Sequence, residues 1–207
     1  MFNRGRLVNA AFLENMGYGY YIFHDVDIFP VRGTPKTEPE HFGYHGMPNY
    51  FPIDQARIIL KPAQKVAGCI FGVSNQVYQE VNGHSNSYWG WGYEDREFFV
   101  RLRRNGIRID DQGKRAHRNY GKKWFKWLDH GSGWVRGFER NEEVFNRIMK
   151  HPRESFKQDG LNSTLYRVEQ VTDQPGYKQI DLWIYTAPPH DFGKFDCNLK
   201  CIYLNAV

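Results

Sequence analysis

Apolar residues along this chain recur either at helical spacing or in short unbroken runs, with Gly, Pro, Asn and Asp marking the breaks. Residues 3 to 16 read as a helix: Asn3 supplies a cap, Leu7, Val8, Ala11 and Phe12 form one stripe, and Gly17 ends it. Tyr20-Tyr21-Ile22-Phe23 is a β-prone run, which predicts a strand over 20–24. Residues 30 to 63 hold six prolines and little periodicity, so they read as one long irregular loop. Val66 to Val73 read as a buried strand, and Ser74 caps a short helix that Asn82-Gly83 stops. A helix over 94–105 turns Phe98, Phe99 and Leu102 inward, Gly106 closes it, and Ile107 to Ile109 form a strand. A further helix is expected near 140–149. Gly160-Leu161-Asn162-Ser163 opens a strand to Val171, paired antiparallel with a second over 177–186. Strands and helices mixed in this way predict an α/β fold. Residues 1–186 form the expected domain and 187–207 a poorly specified tail.

Composition narrows the function classes. The 207 residues suit one domain, and 41% hydrophobic content is enough for a core. A net charge of +5 favours an anionic ligand. The basic run Arg101 to Arg108 reads as a solvated helix face, and no nucleic-acid module is recognisable. No run of 18 apolar residues is present, so no membrane-spanning helix is expected, and Met1-Phe2-Asn3-Arg4 lacks the apolar core of a signal peptide. Three cysteines make no disulfide framework. Cys197 and Cys201 could pair in an oxidising compartment, whereas Cys69 reads as a buried thiol.

Two segments carry chemistry. Tyr88-Trp89-Gly90-Trp91-Gly92-Tyr93-Glu94-Asp95 combines flat indole walls, on which a sugar ring stacks, with two glycines that allow close backbone approach and two carboxylates. The carboxylates fall in the first turn of the 94–105 helix, where the helix dipole favours their ionised form. One of them can serve as a general base. Upstream, the 20–24 strand ends in His24-Asp25-Val26-Asp27. Carboxylates at the carboxyl edge of a sheet suit Mg²⁺ or Mn²⁺ bridging phosphate oxygens. The Gly- and Trp-rich stretch 113–138 has the composition of a lid over substrate or of a surface loop with one packed Trp.

Phe2-Asn3-Arg4, Asp25-Val26-Asp27, Trp89-Gly90-Trp91-Gly92-x-Glu94-Asp95 and Gly160-Leu161-Asn162, in this order and spacing, resemble the β-1,4-galactosyltransferases over roughly residues 1 to 186. The resemblance implies an inverting, Mn²⁺-dependent transferase with a GT-A-like mixed sheet and flanking helices. It implies UDP-galactose or UDP-N-acetylgalactosamine as donor, a glycan or glycoconjugate as acceptor, and a Golgi-lumen location. By the same resemblance Phe2, Asn3 and Arg4 contact the nucleotide, and Asp25 and Val26 lie beside ribose or uracil. Asp27 ligates the metal, with His130 (His117 lying some dozen residues too early) as its expected partner. Trp91 walls both sugars, Glu94 holds a sugar hydroxyl and Asp95 is the base. Tyr93 and Arg96 fall in the acceptor-binding set.

Several positions depart from the family pattern. Val66 stands where some galactose-using members carry Tyr, which leaves room for an N-acetyl group. Arg96 replaces a third acid, and Trp127 and Ser132 occupy the places where family members add a Met or a second His as metal ligand. The family's first nucleotide-binding portion, with its uridine-binding segment, is expected to be missing, and the alternative to an enzyme is a non-catalytic remnant that binds UDP or glycan.

Overall fold

A computed structural model of the protein describes residues 2–30, 53–60, 65–111, 125–128, 137–175, 177–185 and 198–204. In chain order the helices are α1 (Arg4–Leu13), α2 (Asn75–Glu80), α3 (Glu94–Arg104), α4 (Phe138–Lys150) and α5 (Pro152–Gln158). The strands are β1 (Tyr20–His24), β2 (Ile28–Pro30), β3 (Gln55–Leu60), β4 (Ile70–Ser74), β5 (Arg108–Asp111), β6 (Phe125–Trp127), β7 (Tyr166–Gln174), β8 (Tyr177–Ile184) and β9 (Asn198–Leu204). The fold is mixed α/β, as the sequence predicts. Two compact units divide the chain: Met1–Met16, Asn82–Glu94 and Arg136–Val207 form the first, and Gly17–Val81 and Asp95–Val135 the second.

The second unit is built on a four-stranded mixed sheet in the order β1-β4-β3-β5. β4 is antiparallel to both β1 and β3, while β3 and β5 run parallel. Every residue of β4 is buried, because the strand lies inside the sheet and its apolar run faces packing on both sides. Phe71 meets Phe98 edge-on at 5.3 Å, which seats the apolar face of α3 among core side chains. Ser74 caps α2 as expected, its hydroxyl accepting the Val77 N–H at 3.1 Å. A separate ribbon pairs β2 with β6.

The first unit packs α1 against the antiparallel sheet β7-β8-β9. Leu7 and Ala10 of α1 meet Ile180, Leu182 and Ile184 of β8 in one apolar cluster, with Trp89 packed against it. Asn3 caps α1, its side chain accepting the Arg6 N–H at 2.9 Å.

Four local expectations change. Gln55–Leu60, inside the stretch read as a loop, forms β3, because its β-branched run finds partners on both sides that the flanking prolines concealed. Strand β4 begins only at Ile70, and Ala67 to Cys69 before it form a buried segment outside the sheet. Residues 198–204 of the expected tail pair with β8 as β9. Arg101, expected on a solvated face, is fully buried: its guanidinium meets the equally buried Glu97 at 2.9 Å and donates to the Val81 carbonyl at 3.3 Å. A buried guanidinium is tolerated only when paired and hydrogen-bonded, and α3 supplies that partner one turn earlier.

Candidate active site

Asp25 and Asp95 each contact one short segment of the second unit, Ala67-Gly68-Cys69, all of it buried. The Ala67 N–H donates to the Asp95 carbonyl at 3.0 Å. Gly68 lies against the Asp95 side chain so closely that a Cβ there would be 2.6 Å from Oδ2. One residue on, the Cys69 carbonyl accepts the Asp25 N–H at 2.9 Å. Cys69 itself adopts φ 59, a left-handed conformation held by its surroundings at the point where the chain turns into β4. The half-buried Val66 leads into this segment.

The Asp25–Asp27 turn is pinned at both ends. The Ile28 N–H donates to the Asp25 carbonyl at 3.2 Å, and the Leu128 N–H donates to the Asp27 carbonyl at 2.8 Å. Both carboxylates are partly exposed and Val26 is 90% exposed. Burial lowers the pKa of His24 beside them, against the opposing pull of Asp25, of a backbone hydrogen bond with Ile28 and of Asp27. The paired carboxylates are oxygen donors of the kind a hard divalent cation takes. Among the described residues no group of three or more His, Cys, Asp or Glu is arranged to hold a metal. His130 lies outside the described residues, two positions beyond Leu128.

In the first unit the Trp-Gly-Trp-Gly turn takes the shape its glycines allow. Gly90 and Gly92 adopt φ 85 and 100, and Tyr93, just before α3, adopts φ 72. The turn is held from outside by Asn141 of α4, whose Nδ2 donates to the carbonyls of Trp91 at 3.2 Å and Gly92 at 3.0 Å. Trp91 is 41% exposed and stacks on Phe138 at 5.6 Å. Tyr93 is buried, packs against Phe138 and Phe145, and donates its hydroxyl to Glu142 at 2.5 Å. Glu94 opens α3 and is partly buried. At the amino end Asn3 is buried, Arg4 partly so and Phe2 47% exposed, and the Phe2 carbonyl accepts the Gly90 N–H at 2.7 Å.

Within the second unit, then, Asp25, Asp27, Val66, Asp95 and the exposed Arg96 lie on or next to elements that share the 67–69 segment. The first unit gathers Phe2, Asn3, Arg4, Trp91, Tyr93 and Glu94. Sequence reasoning missed Phe138, Asn141 and Glu142, which shape the aromatic turn from α4. It also missed the fit between Gly68 and Asp95. The one signal in the sequence is an Asn, a weak helix former, within the expected 140–149 helix.

A family model described as the N-terminal domain of galactosyltransferase matches residues 56–122, which include both the 67–69 segment and Asp95. Mouse (Mus musculus) β-1,4-galactosyltransferase 7 is 34% identical over 180 residues, covering 83% of this chain and 49% of that protein. The chain belongs to the β-1,4-galactosyltransferase family. Mouse β-1,4-galactosyltransferase 1 is 32% identical over 193 residues, covering 90% of this chain and 44% of that protein. The chain thus spans about half the length of the curated relatives it matches. Its fold matches the catalytic domain of Drosophila β-1,4-galactosyltransferase 7 in complex with xylobiose at TM-score 0.63 and 22% identity, covering 100% of this chain and 76% of that one. A mutant of the Drosophila protein, solved with manganese, UDP-Gal and xylobiose, matches at TM-score 0.59 and 21% identity with the same coverage.

Proposed function

We propose that the protein is a metal-dependent inverting glycosyltransferase that moves galactose or N-acetylgalactosamine from a UDP-sugar to a sugar hydroxyl, forming a β-1,4 linkage in the Golgi lumen. The observation that carries this reading is the seat of Asp95. Its carboxylate rests on Gly68, one residue from the carbonyl that anchors Asp25. A base and an acidic turn bonded to one buried segment keep a set spacing, which supports an in-line displacement at an anomeric carbon.

Asp95 would take the proton of the acceptor hydroxyl as that oxygen attacks the anomeric carbon and the bond to UDP breaks. Glu94 would hold a sugar hydroxyl, and Trp91, with Phe138 stacked on it, would present a flat wall to both sugars, with Tyr93 on the acceptor side. Phe2, Asn3 and Arg4 would contact the nucleotide, with Asp25 and Val26 beside its ribose or uracil. Asp27, with His130, would hold Mn²⁺, a cation that neutralises charge on the leaving diphosphate when bound. Val66, smaller than Tyr, would leave space beside the donor sugar for an N-acetyl group, and Arg96 would sit at the acceptor side.

Asp95→Asn tests the reading in a transfer assay with UDP-galactose and UDP-N-acetylgalactosamine on sugar acceptors. Loss of transfer on the order of 10³-fold with donor binding retained is expected. Transfer near the starting rate would remove Asp95 as the base, and donor binding without turnover in the unmodified protein would make it a binding remnant.

A further inference from the structure

Asn86 sits at the centre of a buried polar junction in the first unit, and every polar atom it owns is used. Its backbone carbonyl accepts from Asn3 Nδ2 at 2.9 Å and from Arg6 Nε at 3.0 Å. Its N–H donates to Asp159 Oδ1 at 2.7 Å. Its Nδ2 donates to the Gly160 carbonyl at 2.7 Å and to Ser163 Oγ at 3.1 Å. Its Oδ1 accepts from Asn9 Nδ2 and Thr164 Oγ1, both at 3.1 Å. With 3% exposure, Asn86 has no solvent to replace any lost partner.

The junction ties together three stretches far apart in sequence, and two carry residues of the proposed site. The 2–6 segment is fastened to the 84–90 segment at three further points. Gly90 donates to the Phe2 carbonyl at 2.7 Å, and the Arg6 guanidinium lies over the Trp89 ring at 5.3 Å. Gly5 backs onto Ser85 so tightly that a Cβ would stand 2.2 Å from the Ser85 carbonyl oxygen. Asp159 clamps the same turn from the far side, accepting from the Ser85 and Ser87 hydroxyls. At the surface of this packed piece two aromatic rings remain exposed, Phe2 at 47% and Trp91 at 41%.

We propose that Asn86 is a positioning residue for the donor: its side chain, bonded to Asn9, Gly160, Ser163 and Thr164, holds in place the backbone carbonyl that takes the Asn3 and Arg6 bonds, and so fixes the Phe2–Arg4 segment against the Tyr88–Trp91 segment and keeps the contacts to nucleotide and sugar at one spacing. The proposal rests on the glycosyltransferase reading and adds to it a residue that touches no substrate. A donor held at both ends tolerates little change in that spacing, since a shift of an ångström far from the chemistry is costly.

The test measures UDP affinity with Mn²⁺ by calorimetry, and KM and kcat for the UDP-sugar, on the full chain and on Asn86→Ala. All measurements are made well below the melting temperature of each protein. The expected result is a rise of about tenfold in UDP Kd and in donor KM, with kcat changed less than about threefold. Should Asn86→Ala not fold, Thr164→Val removes one bond to the same Oδ1 and is expected to raise donor KM about threefold. A lowered melting temperature with unchanged Kd and KM makes Asn86 a stability residue and overturns the proposal alone. No UDP binding by the unmodified protein overturns the functional reading and the proposal with it.

Discussion

Gly68 and Asp95 share a space that admits only one of two things, a Cβ on the first or the carboxylate of the second. A Cβ on Gly68 would stand 2.6 Å from Oδ2, well inside contact distance. Gly68→Ala therefore displaces the Asp95 carboxylate while leaving its charge intact. A fall in kcat on the order of 10²-fold is expected, with a melting temperature lowered by only a few degrees. Steady-state kinetics beside a thermal melt checks this. Unchanged kcat would mean that the position of the carboxylate does not matter to transfer.

Arg101 and Glu97 make a buried pair with neither side chain exposed. Removing one partner strands a charge in the core, which costs about 3–5 kcal/mol. Arg101→Met is expected to lower the melting temperature by roughly 6–20 °C for a chain of this size. The double change Glu97→Leu with Arg101→Met recovers most of that loss, because no charge remains to desolvate. Circular dichroism melts of the three proteins decide the matter, and a double variant no better than the single would sink it.

Asn141 reaches from α4 to hold the carbonyls of Trp91 and Gly92. Asn141→Ala removes both bonds at a cost of about 1–3 kcal/mol. Faster amide hydrogen exchange confined to the Trp89–Glu94 turn is the expected consequence, together with a higher KM for the acceptor. Exchange rates in that turn equal to those of the unmodified protein would show that its glycines alone set its shape.

Chelation tests the acidic turn. Treatment with EDTA is expected to abolish transfer, and added Mn²⁺ to restore it, with Mg²⁺ less effective. In Asp27→Ala the restoration shifts to higher Mn²⁺ concentration. A metal titration identical in the two proteins would free Asp27 of that role.

Much of the framework was legible because it is local. Asn3 and Ser74 cap helices through bonds to residues three positions on, and a capping residue before an apolar stripe is visible in any window of a dozen residues. The runs that became β1 and β4 announced themselves by composition, and Gly90 and Gly92 took the positive φ values that only glycine adopts at little cost. Strand β3 was hidden because its pairing partners lie elsewhere in the chain, while the prolines around it spoke for a loop.

The amino-acid sequence by itself set the mixed α/β character, the acids at the end of β1 and at the head of α3, and the aromatic turn between two glycines. Tertiary structure alone decided what those groups rest on. Asp95 is seated on Gly68, Arg101 turns inward to Glu97, and Asn86 joins Asn3 across 83 positions of sequence. The division follows from the range of the forces involved. Capping and periodicity act over one or two turns and leave a trace in neighbouring residues. Close packing and buried hydrogen bonds join residues whose separation along the chain carries no record of their meeting.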